Sequence, residues 1–375
     1  MIVKKDKQER EVFLSLLRAG LWEKDVWLLP FGEVDYSALL QLAEEQSVVG
    51  LVTAGLERVK DVVVPQEELL QFIGETMQIE QQNCMMNSFL SDLINKLRQN
   101  NVYALLIKGQ GIAQCYEKPL WRASGDIDLL LDSNNYEKAK RLLTSIAERV
   151  DAEIVSIKHI GMAIDGWEVE LHGTLFSRLG KRIDRVIGKA QSRSLGAGEV
   201  RVWRNGDTDV FIPSADNDVI FVFTHIMRHF FIEGIGLRQI CDWCRLLWTF
   251  RDRLDLNLLE SRLRNAGLMS EWKAFAAVAV VFLKMPADVI PFYSEDKKWN
   301  QKAERLFSII IETGNFGHNR DMSYFHTEPY IKRKVISLWR HTVDSFRHFL
   351  IFPKDSLRIW WMRLMEGIID VSKGK

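Results

Sequence analysis

Long apolar runs are missing from this sequence. The longest uninterrupted one, Ala274 to Leu283, has ten residues, about half of the ~20 a membrane-spanning helix requires. Cysteine is scarce: four residues in 375, at spacings that form no disulfide framework. Reduced thiols and a cytoplasmic protein are expected. The opening MIVKKDKQEREVF is charged throughout and holds no secretory apolar segment. Net charge is absent as well. Lysine plus arginine and aspartate plus glutamate number 50 each, so no global basic field calls for nucleic acid as a partner.

What is present is a change of pattern along the chain. Residues 1–100 read as helical: Glu9 to Leu17 has apolar residues at helical spacing, and Gln66 to Leu97 is a long heptad-like stretch ending at "RQNN". Its methionines and aromatics, Met77, Met85 and Phe89 among them, are expected in the core. Short apolar runs then replace the helical period. Strands are expected at Val102–Ile107, Asp126–Leu131, Glu153–His159, Trp167–His172, Val200–Arg204 and Val210–Ile212, with a helix at Tyr136–Ile146 after the turn "DSNN". From Asp216 onward the chain reads as helical again. The expected fold is α+β: a small mixed-sheet core at 101–214, flanked by helical regions at 1–100 and 215–375.

The stretch "SGDIDLLLD" carries the chemistry. Strand side chains alternate faces. Asp126 and Asp128 therefore share one face, about 7 Å apart at Cα, while Ile127, Leu129 and Leu131 share the other. "WEVELHG" repeats this design, with Glu168, Glu170 and His172 opposite Trp167, Val169 and Leu171. If the two strands are neighbours, an acid from the second joins the two aspartates; strand parity leaves Glu168 and Glu170 equivalent. Two such charges ~4 Å apart cost on the order of 4 kcal/mol at an effective dielectric of ~20. Protonation, arginine or a metal must offset that. Hard oxygen ligands on a rigid sheet suit Mg²⁺, and two such ions can align an attacking hydroxyl with a leaving pyrophosphate. A bare acid–apolar–acid run is otherwise an ordinary strand start with solvated aspartates.

Upstream lies "ALLIKGQGIA", a buried strand running into a glycine turn of the kind that exposes backbone N–H groups to phosphate. Taken together, "LLIKG", "CYEKPLWRASGDIDLLLD" and "VELHG" resemble the bacterial branch of uncharacterised nucleotidyltransferases in the DNA polymerase β-like nucleotidyltransferase superfamily. The resemblance spans residues 102–175 and continues more weakly into "FTHIMRHFF" and "LRQICDW". It implies a transferase that moves a nucleoside monophosphate from a nucleoside triphosphate, expected to be ATP, to a hydroxyl acceptor, with Mg²⁺ or Mn²⁺. Asp126, Asp128 and Glu170 would be the catalytic metal ligands. Gly109 would shape the phosphate turn, with Lys108 and Arg122 holding phosphate charge or neutralising the acids. His172, His225, Arg238 and Asp242 would line the nucleotide and acceptor sides. Most of the wider superfamily has Gly-Ser at the turn, where this chain has Gly109-Gln110. The alternative function is a catalytically silent nucleotide-binding or protein-interaction module. A sugar, metabolite or protein acceptor is expected rather than nucleic acid.

Three further features remain. Cys241 and Cys244 form CxxC inside a helical pattern, where a core role is expected rather than redox or zinc. His225 and His229, at i and i+4, share one helix face. Finally, Ile331 to Arg363 holds eight basic residues (Lys332, Arg333, Lys334, Arg340, Arg347, Lys354, Arg358, Arg363) against Asp344 and Asp355. Val335, Leu338, Trp339, Phe346, Phe349 and Leu350 recur there at near-helical spacing. Packing of that apolar face on the sheet core or on a partner, with the cations as a solvated rim, is expected; attachment to an anionic membrane surface is the alternative.

Overall fold

The apolar alternation around the acids produces the sheet that organises the molecule. A computed structural model describes residues 2–319 and 329–372. The five-stranded mixed sheet has the order β1-β2-β5-β4-β3, with β1 Leu105–Ile107, β2 Asp126–Leu130, β3 Arg149–Val150, β4 His159–Ile164 and β5 Trp167–His172. Within this sheet β2 and β5 pair in parallel and the other neighbours antiparallel. A separate antiparallel hairpin comprises β6 Val200–Asn205 and β7 Thr208–Pro213.

One face of the sheet is dry. Ile127, Leu129, Leu131, Val169 and Leu171 are fully buried there. They pack against Met86, Leu90, Leu93, Ile94 and Leu97 of α4 (Gln66–Gln99) and Tyr136, Ala139 and Leu143 of α6 (Ser133–Thr144). Each such side chain contributes about 1.5–3 kcal/mol. Asp132 caps α6, its side chain accepting from the Asn134 and Asn135 N–H groups at 2.9 Å. Because α4 and α6 cover the back, the acidic front stays open.

Across that front lie α8 (Ala215–Ile232) and α9 (Leu237–Phe250). They share one core with α1 (Ile2–Trp22), α2 (Tyr36–Glu45), α3 (Val49–Leu56) and α7 (Lys181–Gly196). The same core takes in α10 (Leu256–Ala266), α11 (Met269–Val281) and α12 (Lys297–Thr313). The remaining helices are α5 (Gly109–Ala113), α13 (Tyr330–Phe349) and α14 (Pro353–Ser372). No helix among the described residues is long and apolar enough to cross a membrane.

Several expectations need correction. Glu153–His159 is not a strand: Val155–Ile157 forms a 3₁₀ turn, and the strand begins at His159. Its hydrogen-bonding partner is β5, reached through the two-residue Asp165-Gly166 turn, which has positive φ at both positions, 50° and 76°. The amphipathic α7 was not foreseen. Met77 and Met85 are exposed, because only one stripe of the long α4 faces the body. Phe89 is partly buried, stacked on Trp167 at 6.3 Å. Cys241 and Cys244 are fully buried within α9, as expected for core residues.

The base of α14 is fastened by two acids. Glu271 of α11 is buried, hydrogen-bonds Asp355, and has its carboxyl pushed up to about 8 by burial and then by the Asp355 charge. The folded protein thus keeps a proton that an unfolded chain releases near the ordinary value of 4.5. The contribution of this pair to stability is greatest below that value and declines as pH rises towards about 8. Glu271→Gln is expected to match wild type near pH 4.5 and exceed it by on the order of 1–3 kcal/mol at pH 8. Thermal melts across this range check it; parallel curves for both proteins would contradict the shared proton.

Candidate functional site

The parallel pairing of β2 with β5 sets Asp126 beside Glu168 and Asp128 beside Glu170, all on the open face. The two glutamates then part ways. Glu168 is exposed and bound by Arg149 of β3 at 2.6 Å. Glu170 turns into a cleft of about 310 Å³ that Asp126 and Asp128 also line.

Lys108 and Gly109 form the bend between β1 and α5. Lys108 has φ 58° and ψ −142°, a conformation that costs a residue with a Cβ about 1–3 kcal/mol. Its Nζ lies 3.1 Å from both carboxylate oxygens of Asp128. Gly109 follows at φ 35°, where a Cβ would sit 3.6 Å from the Asp126 carbonyl oxygen. There is room for alanine, but the backbone favours glycine. Gln110 faces away from the cleft. Its amide is buried, donating to Asn83 Oδ1 at 3.0 Å on α4.

Two histidines brace the second strand. His172 Nε2 is 2.7 Å from Asp128 Oδ1 and 3.3 Å from Glu170 Oε2. His159, opposite it on β4, has Nε2 3.1 Å from the same Glu170 oxygen. One ring nitrogen facing two carboxylates, and one oxygen facing two imidazoles, form a convergent donor set. The ligand atoms of His159, Glu170 and His172 lie within 4.8 Å of one another.

The charges are shared unequally. His159 and then His172 hold the Glu170 carboxyl well below the usual range. Burial pushes Asp128 up, but Lys108 and His172 more than reverse this and keep it low. Asp126 is pushed up, first by the Asp128 charge and then by burial. Among the described residues, none hydrogen-bonds or ion-pairs with the Asp126 side chain. The site therefore carries surplus negative charge at Asp126, open to the cleft.

The opposite wall draws its positive charge from Arg228 of α8 and Arg238 of α9, with His225 and His229 of α8 beside them. Rings of His225 and His229 lie 4.2 Å apart, and burial, followed by the Lys108 charge, holds His225 well below its ordinary value. Arg238 donates to the Ala123 carbonyl at 2.7 Å. The Nε atoms of Arg228 and Arg238 are buried, with no hydrogen-bond partner among the described residues. Asp242 and Arg122 border this wall but serve each other. Arg122 Nε and Nη2 donate to the two Asp242 oxygens at 2.8 and 2.7 Å, and Tyr116 donates to Asp242 at 2.7 Å. Both side chains are buried. The remaining Arg122 contacts go to the Ala123 carbonyl and Ser124 Oγ. This pair is a strut that ties the turn before β2 to α9.

Lys108, Gly109, Arg122, Asp126, Asp128, Glu170, His172, His225, Arg238 and Asp242 thus all border one cleft. Sequence reasoning missed His159, Arg228, Glu233 and Phe316. Pairing Ile164 with Trp167 across the Asp165-Gly166 turn would have set His159 opposite His172, and spacing of three from His225 would have given Arg228. Glu233, 2.6 Å from His229 Nδ1, had a weaker signal at i+4. Phe316, beside His229 at 4.9 Å, had none.

An α+β protein with carboxylates on adjacent parallel strands, facing a basic helical wall, has the makings of a phosphate-handling enzyme. The chain belongs to the uncharacterised nucleotidyltransferase family, whose model matches residues 32–284. That span takes in Asp126, Asp128, Glu170 and the cleft wall through α9, and ends before α13 and α14. No curated protein and no solved structure matches the chain.

Proposed function

We propose that this protein is a metal-dependent nucleotidyltransferase of the polymerase β-like kind, moving a nucleoside monophosphate from a triphosphate to a hydroxyl acceptor. The observation that carries the reading is the convergence of Asp126, Asp128 and Glu170 on a cleft whose far wall holds the guanidinium groups of Arg228 and Arg238. The donor set fits a divalent cation. Asp126 is raised by the neighbouring Asp128 charge, so a cation there would relieve a repulsion already present. Asp126, Asp128 and Glu170 would hold it, and the bound ion would supply charge neutralisation for triphosphate and leaving group. Carboxylates alone suit Mg²⁺; the adjacent imidazoles of His159 and His172 favour Mn²⁺ as well.

In the reaction, the acceptor oxygen forms a bond to the α-phosphorus while the bond to the bridging oxygen of the β-phosphate breaks, and pyrophosphate departs. The chain's own contribution is positioning and electrostatics. Lys108 and Arg238 sit where charge on the phosphates needs cover. Glu170, kept ionised by His159 and His172, accepts a hydrogen bond from the attacking hydroxyl, whose proton then passes to solvent. ATP is the expected donor, and the acceptor is a sugar, small metabolite or protein hydroxyl.

Gln110 favours a second reading, a silent nucleotide-binding module, because its side chain is bound to α4 and offers the phosphate turn no hydroxyl. Titration calorimetry with a non-hydrolysable ATP analogue and Mn²⁺ tests the shared premise. Binding is expected to require metal and to weaken about 10–100-fold in Lys108→Ala or Arg238→Ala, the range for hydrogen bonds to charged groups. Affinity indifferent to metal and to both substitutions sinks the reading. Tight binding of ATP with no pyrophosphate release over a panel of acceptors supports the silent module.

A further inference from the structure

The C-terminal hairpin is built with its amphipathic helix inside out. On α13, Val335, Leu338, Trp339, Val343, Phe346 and Leu350 follow helical spacing and form one stripe about 22 Å long. The stripe faces solvent: Trp339 is 69% and Phe346 67% exposed. The polar side of the helix faces the body. His348 is buried against the Phe230 ring at 4.4 Å, Arg347 pairs with Glu312 of α12, and His341 meets Arg363 of α14 at 3.2 Å. Of the two packing surfaces expected for this face, the sheet core is not the one it meets.

The stripe continues onto the second helix. Trp360 donates to Thr342 at 3.1 Å, which joins α14 to the stripe's edge. Leu357 and Trp361, one turn apart on α14, are 59% and 57% exposed. Cations flank this surface, with Lys332 and Lys354 exposed at its margins and eight basic residues against two acidic between Ile331 and Arg363; the side chain of Lys334 lies outside the described residues.

We infer that the α13–α14 hairpin docks the protein on an anionic lipid bilayer. Exposed Trp, Phe and Leu beside Lys and Arg match the demands of that interface, where aromatic rings enter the headgroup boundary and cations meet lipid phosphates. A second copy is disfavoured by charge. Pairing the stripe with itself would bring the flanking Lys332 and Lys354 of one copy towards those of the other, in a segment with a net charge of +6. Insertion of the stripe would leave α8, α9 and the cleft on the solvent side of α13, in contact with its polar face through His348.

Flotation of the whole protein tests this, with vesicles of phosphatidylcholine alone and of phosphatidylcholine with phosphatidylglycerol. Binding is expected only to the anionic vesicles, with a blue shift of tryptophan emission, and to weaken by about fivefold for each of Lys332→Gln and Lys354→Gln. Trp339→Ser/Phe346→Ser is expected to abolish flotation while the melting temperature and nucleotide affinity stay at wild-type values. Three results overturn the inference: no flotation with either vesicle, which leaves an acidic protein as the occupant; equal flotation with both; or a dimer by sedimentation that the double substitution splits.

Discussion

Asp126→Asn is expected to remove nucleotidyl transfer, by about 10²–10³-fold or more, while the protein melts at or above the wild-type temperature. The two effects have one cause. Asp126 borders the cleft with no side-chain partner among the described residues and is pressed by the Asp128 charge, so folding gains nothing from its ionisation. Asparagine keeps the shape and removes the repulsion. A residue retained at a cost to stability is a mark of function rather than of architecture. Turnover of labelled triphosphate, set beside thermal melts, reads both. If the asparagine variant binds Mn²⁺ and nucleotide as wild type does, Asp126 is not a metal ligand.

Arg122→Ala is expected to act in the opposite sense, costing about 3–5 kcal/mol of stability through the loss of a buried pair. Asp242 would be left with Tyr116 as its one remaining donor among the described residues. Its carboxyl, which burial pushes up and Arg122 now holds low, would take up a proton far more readily. Replacing both partners, Arg122→Met with Asp242→Leu, is expected to regain most of the loss, because an apolar pair strands no charge. Chemical denaturation measures all three. A single variant that unfolds like wild type yet binds triphosphate poorly would return Arg122 to the phosphate-holding role implied by the sequence resemblance.

The acids were legible in the sequence because strand alternation and apolar backing are local. Asp126, Asp128 and the Trp167–His172 strand follow from a period of two. The choice between Glu168 and Glu170 was not local, since it rests on Arg149, which reaches Glu168 from a strand two positions away in the sheet. β4 escaped notice because Gly161 interrupts a short apolar run and the polar segment before it looked strand-like. In α7, the buried apolar positions Ile183, Val186, Ile187 and Ala190 are spread among charged residues. Arg122 and Asp242 lie 120 residues apart, and no periodicity announces an ion pair of that separation. Exposure of the α13 stripe was equally hidden, because the spacing of apolar residues tells which side of a helix they share but not what that side meets.

The first helix has a consequence for how the chain is made. Trp22 donates its indole N–H to the carbonyl of Leu283, 261 residues downstream, and Arg18 donates to Phe282 beside it. At translation speeds of ~5–20 residues per second, α1 waits ~13–50 s for these partners to emerge. During that interval Phe13, Leu14, Leu16 and Leu17, all fully buried at the end, have only α2, α3 and the early half of the chain to cover them. The apolar face of α1 thus stays partly uncovered until Leu283 has emerged, and a chaperone that shields apolar helices on the ribosome would find its client window there.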